Sequence, residues 1–197
     1  LNFLKYQGEI TLDGEPISPK NIVRLSFATS EHSFFPSLTA HSHREFYAEH
    51  FPKFNPRRFD ALMDFFELPK SRPVGKFSTG QKNQFEVILA VSQGADYILM
   101  DEPFAGNDVF NREDFYKVLL GILEPNETIL LSTHLLEEVE PFISRAVLMH
   151  KGQLIGDVTA DELEEQGQSL MQYVKQCYNY RSDRVGKALR ELTGEEG

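Results

Sequence analysis

Hydrophobic and polar positions alternate near the start of the chain as they do in a half-buried strand. The apolar residues of Gly8-Glu9-Ile10-Thr11-Leu12-Asp13-Gly14 fall at every second position between bounding glycines, which predicts one arm of an antiparallel sheet. Residues 1–6 are expected to be the end of a helix. Residues 22–28 predict a second strand, and Pro36 marks the turn that follows it.

The middle of the chain has helical spacing instead. Between about residue 38 and residue 93, apolar side chains recur three and four positions apart, and prolines divide the stretch into short segments. This pattern predicts an all-helical section. Its clearest apolar stripe is formed by Phe59, Leu62, Met63, Phe65 and Phe66.

Strand and helix patterns alternate after residue 94. Short apolar runs at 97–100, 128–131 and 146–149 are separated by helical spacing, which predicts two β-α-β crossovers and a mainly parallel sheet. Lys151-Gly152 predicts a hairpin turn into a last strand, and residues 160–192 carry helical spacing again. We therefore expect an α/β fold with a mainly parallel sheet, an antiparallel β arm and an all-helical subdomain.

Composition and charge restrict the class of protein. With 41% hydrophobic residues, 16 Phe and 7 Tyr among 197 residues, the chain has the composition of one folded domain. Its net charge of -10 argues against binding to nucleic acid or to anionic lipid. The single Cys177 excludes an internal disulfide, and no apolar run reaches the roughly 18 to 20 residues of a membrane span. Any membrane contact is therefore expected to go through a partner.

Polar residues follow two of the predicted strands. Asp101 and Glu102 come directly after the run at 97–100, and His134 follows the run at 128–131. In open α/β sheets, ligands bind beyond the carboxyl ends of the strands. Asp101 is thus a candidate to hold Mg²⁺ through water, Glu102 to orient or deprotonate an attacking water, and His134 to hydrogen-bond a γ-phosphate oxygen or that water. Taken singly, an acidic loop or helix N-cap is the commoner explanation of Asp101 and Glu102, and a structural histidine is the commoner explanation of His134.

A third candidate precedes a predicted helix. Phe77-Ser78-Thr79-Gly80-Gln81 is followed by apolar residues at helical spacing. Hydroxyls and backbone N–H groups at a helix N-terminus suit phosphate. An ordinary N-cap provided by Ser78 or Thr79 is the alternative.

Together, these pieces resemble the nucleotide-binding domain of ABC transporters. Gln81 stands 20 residues before Asp101, and His134 stands 32 residues after Glu102, both ordinary spacings for that family. The four matching motifs, in chain order, are Phe77-Ser78-Thr79-Gly80-Gln81 for the LSGGQ signature, Asp101-Glu102-Pro103 for the end of the Walker B strand, Ala105-Gly106-Asn107-Asp108 for the D-loop, and Ser132-Thr133-His134 for the H-loop.

The chain also departs from the family pattern. It contains no G-x-x-x-x-G-K-[ST], and we expect that a segment with this P-loop precedes Leu1 and that the chain alone is inactive. The Q-loop glutamine is expected at Ser30, next to Glu31, and either residue offers only a different oxygen ligand. Thr79 replaces the first signature glycine, and Asn107 replaces the usual D-loop leucine.

The resemblance implies an ATPase subunit that uses ATP and Mg²⁺ in a head-to-tail dimer. It implies that Asp101, Glu102 and His134 serve the subunit's own nucleotide and that the signature reaches the nucleotide of a second nucleotide-binding subunit. It adds Asp108, Ser30 and Glu31 to the ATP-binding residues. A transmembrane permease subunit is the implied partner, on the cytoplasmic face of the membrane. The implied division is an ATPase core at 1–37 and 94–160, a helical subdomain at 38–93 and a helical tail at 161–197.

Two other functions remain open. One is a soluble ABC-type ATPase that acts on ribosomes or DNA, although such proteins typically carry tandem cassettes or long coiled coils, and the sequence shows neither. The other is a non-catalytic interaction module of the same fold, which the presence of Glu102 and His134 disfavours.

Overall fold

A computed structural model describes residues 7–29, 31–103 and 109–180, with backbone alone at 109–112. The chain divides into two compact units, 1–134 and 135–197. The helical end expected at residues 1–6 lies outside the described residues.

The first unit begins with a small hairpin. β1 (Thr11–Leu12) pairs antiparallel with β2 (Glu15–Pro16). Asp13 and Gly14 form the turn between them, with φ of 53° and 81°, the left-handed values that a two-residue hairpin needs. The predicted antiparallel arm is therefore present, although it is shorter than the alternating pattern.

A parallel sheet lies at the centre of this unit. It contains β3 (Leu25–Ala28), β4 (Tyr97–Asp101) and β5 (Thr128–Ser132), in the order β3-β4-β5, with both neighbouring pairs parallel. Ile98 and Met100 of the central strand are buried. The α/β fold with a parallel sheet is thus confirmed, and both strand ends with candidate chemistry lie at the same edge.

The strand predicted at 22–28 is wrong in its first half. Ile22–Arg24 form a 3-10 helix, and extended structure begins only at Leu25. The cause is a turn in which Asn21 Oδ1 accepts from Ser18 N at 2.7 Å while Ile22 N donates to Ser18 O at 2.9 Å. Asn side chains compete for backbone groups in this way and so oppose regular strand structure.

Four α-helices are found among the described residues of the first unit. They are α1 (Ala40–His50), α2 (Pro56–Phe65), α3 (Thr79–Ser92) and α4 (Val109–Ile122). The first two are capped by the side chains of Thr39 and Asn55, residues that favour helix N-termini because their oxygens accept from free backbone N–H groups. The helices predicted within 38–93 are present, and the division into a core and a helical subdomain stays a prediction.

Helix α3 is largely buried, from Phe85 to Ser92. Its side chain Phe85 is fully buried and lies 5.2–6.1 Å, between ring centroids, from four other rings. Offset and edge-to-face contacts at such distances stabilise aromatic clusters. These four rings belong to Phe34, His43, Phe59 and Phe77.

A buried arginine joins the helices to the sheet. Arg58 of α2 donates to Glu127 at 2.8 Å, to the Val91 carbonyl at 2.7 Å and to the Ile122 carbonyl at 2.6 Å. The two carbonyls lie at the C-terminal ends of α3 and α4, where the helix dipole favours a cation. Arg58 therefore holds three helices and the segment before β5 together.

The second unit is built on an antiparallel hairpin. β6 (Arg145–His150) pairs with β7 (Gln153–Thr159) around Lys151 and Gly152, whose φ values are 50° and 76°, so the predicted hairpin turn is confirmed. α5 (Leu136–Val139), α6 (Ala160–Glu165) and α7 (Leu170–Cys177) surround it. Its buried cluster consists of Val158, Leu163 and Leu170.

The second predicted β-α-β crossover is wrong. Among the described strands, β6 pairs with β7 alone. The helix before β6 has only four residues and is followed directly by a 3-10 helix, Glu140–Phe142, because Pro141 has no N–H with which to continue the α-helical hydrogen bonds. The helix predicted over 160–192 divides into α6 and α7 at Gly167, and residues beyond 180 lie outside the described part.

None of the described helices combines the length and the apolar character that a bilayer span requires.

Candidate functional site

The carboxyl ends of β4 and β5 form the candidate site. Asp101 stands opposite Ser132 in the sheet register, and the Ser132 hydroxyl donates to Asp101 Oδ1 at 2.5 Å. One residue further, Glu102 N donates to the Ser132 carbonyl at 3.1 Å. The parallel pairing of two strands thus brings together residues that are 31 positions apart in the chain.

Glu102 and His134 meet directly. Nδ1 of His134 lies 2.7 Å from Oε1 of Glu102, and the ring nitrogen is the donor because a carboxylate only accepts. The Glu102 side chain is 34% exposed and that of His134 is 76% exposed. The pair is therefore open to a ligand, and the bond leaves the Nε2 atom of His134 for another partner.

Glu102 has a strained backbone. Its φ is 44°, in the left-handed region that non-glycine residues seldom adopt, at a cost of about 1 kcal/mol or more. The hydrogen bond to the Ser132 carbonyl holds this conformation. Strained residues of this kind gather at functional sites, so the backbone adds support to Glu102 as a reactive group.

The oxygen atoms at the two strand ends suit Mg²⁺. This ion prefers oxygen ligands and usually takes one or two carboxylates, completing its shell with water and phosphate oxygens. Asp101 is exposed and presents a carboxylate beside the Ser132 hydroxyl. In the part of the chain that the structure describes, no three His, Cys, Asp or Glu side chains gather into a metal cluster.

The Ser78-Gln81 segment begins α3 with a capping box. Gln81 N donates to Ser78 Oγ at 3.2 Å, and Ser78 N donates to Gln81 Oε1 at 3.0 Å. The N-cap interpretation of Ser78 is therefore confirmed. It does not exclude phosphate binding, because a hydroxyl that accepts one bond still has a hydrogen to donate, and Thr79 and Gly80 lie in the first turn, where backbone N–H groups have no partner within the helix.

The described hydrogen bonds do not join the two groups of candidates. Ser78 is bonded to Gln81, and Glu102 is bonded to His134, but no described bond links one pair to the other. Glu31 is exposed in the loop after β3. Ser30 and Asp108 lie outside the described residues.

Sequence reasoning missed the polar residues beneath the site. Asn83 and Glu86 of α3 are buried, and with Thr29 and Glu102 they line a cavity of about 10 Å³. Glu86 is the one acidic residue in the otherwise apolar run 85–91. An acidic residue in such an apolar run is the feature of the sequence that could have indicated a buried polar site.

Comparison with known proteins gives one consistent result. The family model described as "ABC transporter" matches residues 2–105. The ABC transporter ATP-binding protein YtrB of Bacillus subtilis is 27% identical over 187 residues, which are 93% of this chain and 62% of that protein. NatA of the same organism, also an ABC transporter ATP-binding protein, is 26% identical over 83% of this chain and 70% of its own length.

The solved structures agree on the fold. One described as "Structure of ATP binding subunit of ABC transporter" superposes with a TM-score of 0.71 at 24% identity, over 87% of this chain and 77% of its own. At that identity the likeness concerns the fold alone. The family model covers more than half of the chain, and the chain therefore belongs to the ABC transporter family, as an ATP-binding domain of that family.

Proposed function

We propose that the chain is the ATP-hydrolysing subunit of an ABC transporter and works in a head-to-tail dimer. The observation that carries this proposal is the 2.7 Å hydrogen bond between Glu102 and His134 at the ends of two parallel strands. A non-catalytic module has no need of a strained, half-exposed glutamate bonded to an exposed histidine. Because the chain spans only 62% of the length of YtrB, the activity of the whole protein is part of this proposal.

The roles of the residues follow from their chemistry. Glu102 orients the attacking water and accepts its proton, while His134, held by Glu102, hydrogen-bonds the γ-phosphate oxygen or the same water. Asp101 holds Mg²⁺ through water, and the ion, when bound, neutralises phosphate charge. The protein thus contributes position and electrostatics rather than a covalent intermediate.

The start of α3 serves the nucleotide of the other subunit. Ser78 retains a hydroxyl hydrogen to donate, and the N–H groups of Thr79 and Gly80 lie at the positive end of a 14-residue helix. The Gln81 carbonyl is used in the capping box, which leaves its NH₂ group for the partner's nucleotide. Ser30, Glu31 and Asp108 complete the predicted ATP-binding set.

The coupled process is transport. YtrB and NatA are both named as ABC transporter ATP-binding proteins, and we extend that role to this chain. Closure of the dimer on ATP and its reopening after hydrolysis drive a partner permease, at the cytoplasmic face of the membrane. In this proposal residues 1–37 and 94–160 form the ATPase core and residues 38–93 form the helical subdomain.

The substitution Glu102→Gln tests the proposal in a form of the protein that carries a P-loop ahead of Leu1. The amide keeps the size and most hydrogen bonding of the carboxylate but does not accept a proton. ATP turnover should be lost, ATP binding should be kept, and light scattering should show a dimer that forms only with ATP.

The matched control is Glu15→Gln, which changes an exposed glutamate of β2 and should hydrolyse ATP like the wild type. Wild-type turnover in Glu102→Gln would refute the assignment. Loss of ATP binding in that variant would instead show that Glu102 acts in binding.

A further inference from the structure

A buried carboxylate lies beneath the candidate site. Glu86 of α3 is only 2% exposed, between apolar neighbours that form the core. Burying an ionised carboxylate is costly unless hydrogen bonds compensate. Burial also raises the pKa of Glu86, which means that its charge opposes folding. A residue of this kind, in a helix whose neighbouring side chains are buried and apolar, calls for a role beyond packing.

The hydrogen bonds of Glu86 lead to one loop. Ser33 N donates to both oxygens of Glu86, at 2.9 and 3.0 Å. One carboxylate of α3 therefore holds the loop 31–33, which lies between β3 and α1 and contains Glu31.

A second bond holds the same loop to the same helix. His32 lies in the left-handed region, with φ of 59°, and its Nε2 is 2.8 Å from Oδ1 of Asn83. Asn83 precedes Glu86 by three residues, so both side chains lie on one face of α3. That face of α3 is thus bonded to both His32 and Ser33.

The other side of Glu86 leads to the site. Glu86, Asn83 and Thr29 line the cavity of about 10 Å³ together with Glu102. Such a space admits about one water molecule. Because close-packed interiors transmit small displacements, a shift of Glu86 changes the surroundings of Glu102.

We propose that Glu86 is a positioning residue for ATP hydrolysis, which holds the loop 31–33 against α3 and, through the cavity that Glu86 and Glu102 both line, fixes the place of the Glu102 carboxylate. This inference rests on the proposed function. Glu86 does not touch the nucleotide in this proposal. It acts through the loop and through Glu102.

The first test measures ATP hydrolysis in the form of the protein with a P-loop. Glu86→Gln keeps the size of the side chain but only one oxygen acceptor, and Glu86→Ala removes both. We expect kcat to fall about 10-fold in Glu86→Gln and about 100-fold in Glu86→Ala, the size of effect that misplaced catalytic groups produce. KM for ATP should change less than about twofold, because the interaction lost acts mainly in the transition state.

The matched control is Glu127→Gln. Glu127 is also a buried glutamate of the first unit, with a side chain 6% exposed and a 2.8 Å bond to Arg58, but it does not line the cavity. This variant should lose stability and keep its kcat at temperatures where it is folded. A loss of kcat equal to that of Glu86→Gln would show that burial of charge, not position, explains the effect.

The second test needs no activity and uses the 197-residue chain. The Ser33 amide proton should titrate with the ionisation of Glu86 in NMR spectra, and Glu86→Gln should abolish that step. His32 of the loop, Tyr47 of α1 and Glu102 across the cavity also face this region. Any other step in the spectra should remain in Glu86→Gln, so the step that disappears is the one that belongs to Glu86.

The outcomes separate this inference from the proposed function. If the wild type with a P-loop hydrolyses no ATP, the proposed function fails and the catalytic half of the inference fails with it. If the wild type is active and Glu86→Gln has an unchanged kcat, only the inference is overturned. If the Ser33 amide still titrates in Glu86→Gln, the claim that Glu86 holds this loop is wrong. This test remains valid even if Glu86→Ala does not fold.

Discussion

Ser78 caps a helix and, in our proposal, also binds the partner's nucleotide, and two substitutions separate these roles. Ser78→Ala removes the bond from Gln81 N to Ser78 Oγ, which is 3.2 Å long. The reverse bond, from Ser78 N to Gln81 Oε1, does not need the serine side chain and remains. Ser78→Asp keeps an N-cap oxygen but replaces the hydroxyl donor by a negative charge.

The expected loss of stability in Ser78→Ala follows from the loss of one of the two capping-box hydrogen bonds. N-cap replacements by alanine cost about 0.5 to 2 kcal/mol, and the remaining bond places Ser78→Ala near 0.5 to 1 kcal/mol. For a chain of this size, that corresponds to a Tm lower by about 1 to 4 °C. Asp is as good an N-cap as Ser and suits the helix dipole. Ser78→Asp should therefore unfold within about 0.5 kcal/mol of the wild type.

Activity should follow the opposite order. In the form with a P-loop, Ser78→Asp places a negative charge against the partner's γ-phosphate and should abolish ATP turnover, while Ser78→Ala should keep a part of it. Neither variant should change ATP binding by the monomer. Denaturant unfolding and a phosphate-release assay measure the two properties on the same samples.

Asn55→Ala is the matched control. Asn55 caps α2 in the same unit through a 3.0 Å bond from Arg58 N, so the control should lose similar stability and keep full turnover. If Ser78→Asp hydrolyses ATP like the wild type, Ser78 is only a cap, and its assignment to the nucleotide site is wrong.

Three further predictions concern other parts of the chain. Arg58→Met should cost roughly 3 kcal/mol or more of unfolding free energy, because it leaves the buried Glu127 carboxylate unpaired; urea unfolding measures the loss. Burial lowers the pKa of His43, so the unfolded chain binds a proton at this residue more tightly than the folded chain does. The unfolding free energy should therefore fall as pH drops below about 6.5, and it should fall less steeply in His43→Gln. An unfolding free energy that does not change with pH in either protein would contradict this. The 197-residue chain alone should bind labelled ATP very weakly and not hydrolyse it, and binding at low micromolar concentration would refute the importance given to the P-loop.

The strand ends were predictable because the information is local. The apolar runs at 97–100 and 128–131 each end in polar residues, and parallel pairing places such ends at one edge. The distance between Glu102 and His134 then follows from the register of two neighbouring strands. Neither Glu102 nor His134 is distinctive alone. The family resemblance depends on the order and spacing of these two residues and the signature segment along the chain.

The errors arose where local patterns compete with turn chemistry. Asn21 bonds to Ser18 and forces a 3-10 helix at 22–24, although those residues are apolar enough for a strand. Pro141 ends α5 after four residues, so the expected crossover helix does not form. An apolar run such as 146–149 predicts a strand, but it does not reveal the strand with which it pairs.

Glu86 was not predictable because its environment is non-local. Its partner Ser33 lies 53 residues away in the chain. Only the folded loop shows that the carboxylate has donors and shares a cavity with Glu102. A lone acidic residue in an apolar helix indicates that partners exist, without indicating which.

Mixed dimers test most directly the claim that each ATP site is built from Glu102 of one subunit and Ser78 of the other. In the form with a P-loop, a dimer with Ser78→Arg in one subunit and Glu102→Gln in the other has both changes at one site and leaves the second site intact. It should keep about half of the wild-type turnover, since equivalent sites contribute equally when each acts independently.

The decisive comparison places the same two substitutions in a single subunit beside a wild-type partner. Each site then carries one change, so the account predicts that this dimer is inactive while the first mixed dimer is active. The measurement is the ATP turnover of both purified heterodimers at equal concentration. If the dimer with both substitutions in one subunit hydrolyses ATP and the dimer with one substitution in each subunit does not, the site is not composite and Ser78 lies in the pocket of its own subunit.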